Sequence, residues 1–154
     1  MTNLKQLSTK PLPNKWVLAF LAVLSFASFL VSVYLTVEHF LGEIPTCTVL
    51  QGCEQVAKSK YSQIGPIPIA LFGAGYFLTM FVLLAVYFDK KTLLALKAFV
   101  LFSVPGFLIS LALLYLQFFV IGAVCIYCLV ADISSILMFA GAAYLYFTVL
   151  RSNP

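Results

Sequence analysis

Apolar residues in this chain gather into four long runs, at about 16–40, 66–88, 93–120 and 123–150, separated by shorter polar breaks. The hydrocarbon core of a bilayer needs about 20 apolar residues per helix, so each run predicts a membrane span. Trp16 suits the interface at the start of the first, and Glu38 and His39 mark its exit. Pro66 and Pro68 fit a first helical turn of the second, where N–H groups have no partner anyway. Gly73 and Gly75 permit close helix approach there. Lys97 can reach back to the headgroups from the third span, and Pro105-Gly106 predicts a kink inside it.

The breaks are unequal. Met1–Lys15 is a polar leader, kept extended by Pro11 and Pro13. Asp89-Lys90-Lys91 and Ile121-Gly122 are tight connections. Residues 41–65 form the one long break, with Gly42, Pro45, Gly52 and the polar Glu43, Gln51 and Glu54. Within it, 54–61 can form a short helix on the membrane surface, with Lys58 and Lys60 in water. The expectation is an all-α membrane protein: an up-down-up-down bundle of four transmembrane helices whose outer loop carries a short surface helix. Residues 16–151 make a single membrane domain behind the leader 1–15.

Composition agrees. The chain is 63% hydrophobic and 9% charged, where a soluble domain carries about 25% charged residues. The net charge of +4 comes from scattered residues, with no basic stripe for nucleic acid. As orientation signals they are one-sided. With the N-terminus inside, Lys5, Lys10, Lys15, Lys90, Lys91, Lys97 and Arg151 lie on the inner side, and only Lys58 and Lys60 on the outer. Both termini are then cytoplasmic, and all four cysteines face outward, where disulfides persist.

The cysteines fall in two pairs. Cys125 and Cys128 form a C-x-x-C at the head of the fourth run. Free N–H groups and the positive end of the macrodipole favour a thiolate there, so the motif reads as a redox pair with a lowered pKa. Cys47 and Cys53 have five residues between them in the flexible loop, which can close a disulfide without strain. A loop disulfide is open to a partner's thiolate, and exchange passes oxidation inward through mixed disulfides. A pair at the head of a membrane helix suits an acceptor dissolved in the bilayer, a quinone. By position, Cys47 meets the partner, Cys53 connects to Cys125, and Cys128 meets the quinone. Asp132 lies four residues past Cys128 and seven past Cys125, on the same helix face. An ionisable residue inside a span is a functional hypothesis by default. It either delivers protons to the reduced quinone or holds the quinone's polar edge. The plain alternative is a structural hydrogen bond to Tyr115, Ser110 or another polar group.

This arrangement resembles the vitamin K epoxide reductase family in its prokaryotic form. The likeness covers nearly everything after the leader: a loop cysteine pair, a short loop helix, a Gly-Pro entry to the second span, and Cys-Ile-Tyr-Cys opening the fourth. In the DsbB family the C-x-x-C comes first and the wider pair second, the reverse of the order here. The resemblance implies electron transfer from a DsbA-like thioredoxin-fold protein through Cys47 and Cys53 to Cys125 and Cys128, then to ubiquinone or a menaquinone of the vitamin K type. It also implies a role for Ser59, six residues after the second loop cysteine. Animal members carry a Tyr where Asp132 stands and an Asn near the outer end of the second span, where this chain has Ile67, Ile69 and Ala70. Both departures argue against vitamin K epoxide as substrate. Many bacterial relatives carry a fused thioredoxin-like domain; with the sequence ending at Pro154, the expected partner is a separate chain, and the resemblance implies a bacterial plasma membrane.

Competing readings fit less well. All-cysteine zinc sites pair close knuckles in soluble loops, so no metal is expected. A scaffold with two purely structural disulfides gains little from a C-x-x-C bridge, which closes a tiny loop. His39 and Tyr127 read as interfacial residues.

Overall fold

The computed structural model describes residues 14–43 and 52–151. Four helices in it are long and apolar enough to cross a membrane, and the protein is a four-helix membrane bundle. Helix α1 spans Lys15–Leu41, capped by the Asn14 side chain, which accepts from the Trp16 N–H at 3.2 Å. It ends at Gly42, whose φ of 70° supplies the left-handed turn that stops a helix. After the short helix α2 (Cys53–Ala57) comes a two-residue hairpin of β1 (Gln63–Ile64) and β2 (Ile67–Pro68). Helix α3 is Ile69–Lys90 and α4 is Leu93–Tyr115, the latter continuing as a π-helical segment, Leu116–Ile121. Helix α5 is Ile126–Leu145, with a π-helical end at Tyr146–Leu150.

Two expectations need correcting. Pro66 and Pro68 are not in a helical turn. Gly65, with φ of 63°, opens a two-residue turn that pairs Ile64 with Ile67 and Gln63 with Pro68, so α3 starts only at Ile69. The loop helix is Cys53–Ala57 rather than 54–61. Its last turn closes instead on the Ser59 and Ser62 hydroxyls, which donate to the Val56 and Ala57 carbonyls at 2.7 Å. Helix α4 continues through Pro105.

The bundle closes as a ring in which α1 packs on α3 and α5, and α4 packs on α3 and α5. Its inward stripes are small and polar in places. On α1 the buried positions are Leu18, Leu21, Ser25, Ser28, Ser32 and Thr36, at helical spacing. Thr36 and Ser25 return their hydroxyl bonds to carbonyls of their own helix, at 2.7 and 3.0 Å. Large apolar side chains such as Phe20, Phe26 and Leu101 point outward. Small residues within and large ones outside is the membrane pattern, because lipid tails are as apolar as a core and close approach drives helix association. One end of the bundle is filled by Leu21, Met80, Leu84, Leu96, Phe99 and Met138. The other end, around the cysteines, is hollow.

Candidate redox site

Cys125 is not inside α5 but immediately ahead of it. Its backbone is extended (φ −97°, ψ 120°), and its sulfur accepts the Cys128 N–H at 3.4 Å, so the thiol itself caps the helix. Cys128 sits in the first turn. Both are free thiols. A hydrogen bond from the Cys128 side chain lowers the Cys125 thiol to about 7. Burial works against this, and the N–H groups of Cys128 and Tyr127 assist it. Tyr127 is half-buried and packs on Tyr34, with ring centroids 5.4 Å apart.

The loop docks on this cap. Cys53, which is disulfide-bonded, is buried in one cluster with Val56, Ala123 and Cys125, and Cys128 packs against the same cluster. Gly52 makes the approach possible: a Cβ there would lie 2.6 Å from both the backbone nitrogen and the oxygen of Val124. Backbone therefore meets backbone one residue before each of Cys53 and Cys125. Cys47 lies outside the described residues.

Below the cap is a cavity of about 540 Å³. Lys58, Ser59 and Glu43 line it, as do Cys53, Cys125 and Cys128. Asp132, only 3% exposed, belongs to its wall. Its carboxylate accepts from Gln117 Nε2 at 3.0 Å. Of the residues named from the sequence, Ser110 is buried and lines the same cavity while Tyr115 is 60% exposed; the partner found is another polar group, Gln117. The cavity also takes in Tyr76 and Ser135, whose buried hydroxyls face one another without meeting hydrogen-bond geometry. Tyr76 reaches that place because Gly106 has no side chain to stop it. Apolar wall comes from Phe72, Phe77, Ile109 and Leu113.

A family model, the vitamin K epoxide reductase family, matches residues 19–143, most of the chain. The chain belongs to that family. It is thereby an integral membrane protein of a thiol–disulfide oxidoreductase family associated with quinone and vitamin K chemistry. No curated protein matches the sequence. For this vitamin K epoxide reductase relative, the structure brings Cys53, Ser59, Cys125, Cys128 and Asp132 to one cavity. Among the described residues no cluster of His, Cys, Asp and Glu could hold a metal ion.

Sequence reading missed Gln117, Gly52 and Tyr76. Gln117 had a signal: it is the one amide in the third apolar run, placed just ahead of the C-x-x-C. Gly52 reads as an ordinary loop glycine, and Tyr76 as one more aromatic in a span.

Proposed function

We propose that this protein is a membrane thiol oxidase that takes electrons from a thioredoxin-fold partner and delivers them to a membrane quinone, supporting disulfide formation. The observation that carries the reading is the docking of disulfide-bonded Cys53 on the free thiols Cys125 and Cys128, at the wall of a mostly apolar cavity. The volume is within the roughly 300–1,000 Å³ of small-molecule sites, and a few convergent polar groups in an apolar wall are what such sites use.

The balance is two electrons and two protons at each exchange. A reduced partner's dithiol attacks the Cys47–Cys53 disulfide through a mixed disulfide; the partner leaves oxidised and the loop becomes a dithiol. The loop dithiol then reduces a Cys125–Cys128 disulfide in the same way, through Cys53 and Cys125. The Cys125–Cys128 dithiol finally gives two electrons and two protons to a quinone, yielding quinol and the disulfide. Cys125, lowered to about 7 and buried beside Cys53, is the sulfur that meets the loop. Asp132 faces the same cavity one turn beyond Cys128, where it holds the ring's polar edge or passes a proton to it. Ser59 keeps the loop helix closed over the cavity through its bond to Val56. The one-sided positive charges support an outward-facing site with both termini cytoplasmic, and the family resemblance supports a bacterial plasma membrane.

The test uses full-length protein in lipid. Cys47→Ser and Cys53→Ser variants, each left with one loop thiol, are mixed separately with a thioredoxin-fold protein in its oxidised form, whose disulfide that thiol can open; quinone absorbance is followed in the wild type with the reduced partner. A mixed disulfide with Cys47 left alone, and bleaching of the quinone in step with partner oxidation, are the expected results. No mixed species and an unchanged quinone would leave a braced scaffold. Loss of added vitamin K epoxide in place of quinone would assign the other substrate.

A further inference from the structure

Gln117 stands at the outer end of α4, where the helix widens into its π-helical segment, and is 3% exposed. All three of its polar groups beyond the helix are engaged. Its backbone carbonyl accepts from the Gly122 and Ala123 N–H groups, closing the turn into α5. Its side-chain Oε1 accepts the Cys125 N–H at 3.2 Å, and its Nε2 donates to Asp132 Oδ2 at 3.0 Å. An amide has one acceptor end and one donor end. The Cys125 N–H can bond only to the oxygen, so the nitrogen is turned to the carboxylate without choice. π-Helical turns inside α-helices recur at functional sites, and this one delivers a side chain to both members of the site.

We propose that Gln117 is the positioning residue of the redox centre, holding the Cys125 cap with one end of its amide and aiming the Asp132 carboxylate into the cavity with the other. The first role stands by itself; the second rests on the quinone reading above. Fixing the Cys125 backbone keeps its sulfur over the Cys128 N–H. Fixing Oδ2 of Asp132 leaves the other carboxylate oxygen for whatever enters the cavity.

Three variants of the full chain in lipid separate the roles: Gln117→Leu, which keeps the volume and loses both ends; Gln117→Glu, which keeps an acceptor for Cys125 and loses the amide donor; and Asp132→Asn. The cap is read as the pH midpoint of Cys125 alkylation in the reduced protein, resolved from Cys128 by peptide mass spectrometry. We expect Gln117→Leu to raise that midpoint by about one pH unit or more, toward the ordinary thiol range. Gln117→Glu is expected to keep it near the wild-type value. The second end is read as kcat for quinone reduction with a small dithiol donor. Gln117→Leu is expected to lower kcat about tenfold or more with little change in KM. Added to Asp132→Asn it should cost little further, because the amide acts through the carboxylate. An unchanged midpoint in Gln117→Leu overturns the cap role, and losses that multiply with Asp132→Asn overturn the aiming role. A shifted midpoint in protein that never reduces quinone overturns the quinone reading and supports the cap role.

Discussion

Gly52 and Val124 touch backbone to backbone, and nothing larger than hydrogen fits at position 52. The Gly52 backbone itself is ordinary, with φ of −85° and ψ of −9°, so the glycine is needed for space and not for a left-handed conformation. Gly52→Ala should therefore act only by pushing the loop away from the C-x-x-C. Overpacking of this kind costs about 1–3 kcal/mol. If it falls on the docked state, transfer from partner to Cys125 drops about 5- to 150-fold. A small dithiol that reduces Cys125–Cys128 directly should bypass the defect. Stopped-flow rates with both donors check this; equal losses with the two would count against docking as the cause.

The Cys125 thiolate is populated above its pKa and lost below it, and the thiolate is the reactive form. With the midpoint at about 7, alkylation of Cys125 should rise with pH up to that point and level off above it. Because the Cys128 side chain is the main cause, Cys128→Ala should move the midpoint up toward about 8.5. Iodoacetamide rates from pH 5 to 10 measure it.

Asp132→Asn keeps an oxygen to accept the Gln117 amide, so the fold should persist. Proton transfer by a positioned side chain contributes about 100- to 10,000-fold where it operates. A fall in quinone turnover of at least about tenfold is expected, with partner mixed-disulfide formation unaffected. Wild-type turnover would remove Asp132 from the chemistry and leave it a structural acceptor.

The Tyr76 hydroxyl is buried and makes no hydrogen bond. Removing such a group restores no lost bond and relieves its desolvation, so Tyr76→Phe should be neutral or stabilising by up to about 1 kcal/mol. Thermal unfolding in detergent will show an unchanged or higher midpoint. Gly106→Ala should do the opposite, because the new methyl group would drive the Tyr76 ring end out of place.

Orientation has its own check. In a background lacking the native cysteines, Lys58→Cys should react with a membrane-impermeant maleimide on intact cells, and Lys90→Cys only after permeabilisation. Labelling of both from one side would refute the outward-facing loop.

Much of the fold was legible. Runs of 20 or more apolar residues mark spans without any packing argument, and all four helices lie where they predict, to within a few residues. The shared face of Cys125, Cys128 and Asp132 follows from helical spacing alone. What failed was local and depended on partners from elsewhere in the chain. Pro66 and Pro68 suit a helical turn as well as a hairpin, and the decision falls to Gly65 and the Ile64–Ile67 pairing. Gln117 is fifteen residues from Asp132 in sequence; only the reversal of direction between α4 and α5 brings the amide to the acid. Cys125 was expected within a helix and proves to be its cap, a difference of one residue that no periodicity resolves.

That one residue decides how the centre can swivel. Ahead of the first turn, the Cys125 sulfur accepts the Cys128 N–H and shares a buried cluster with Cys53, so it has a neighbour on either side. If the relay proposed above operates, rotation of the Cys125 side chain can serve both neighbours while the spans stay still, and the pace of the cycle then passes to slower events: the arrival of the protein donor and the exchange of acceptor with the bilayer.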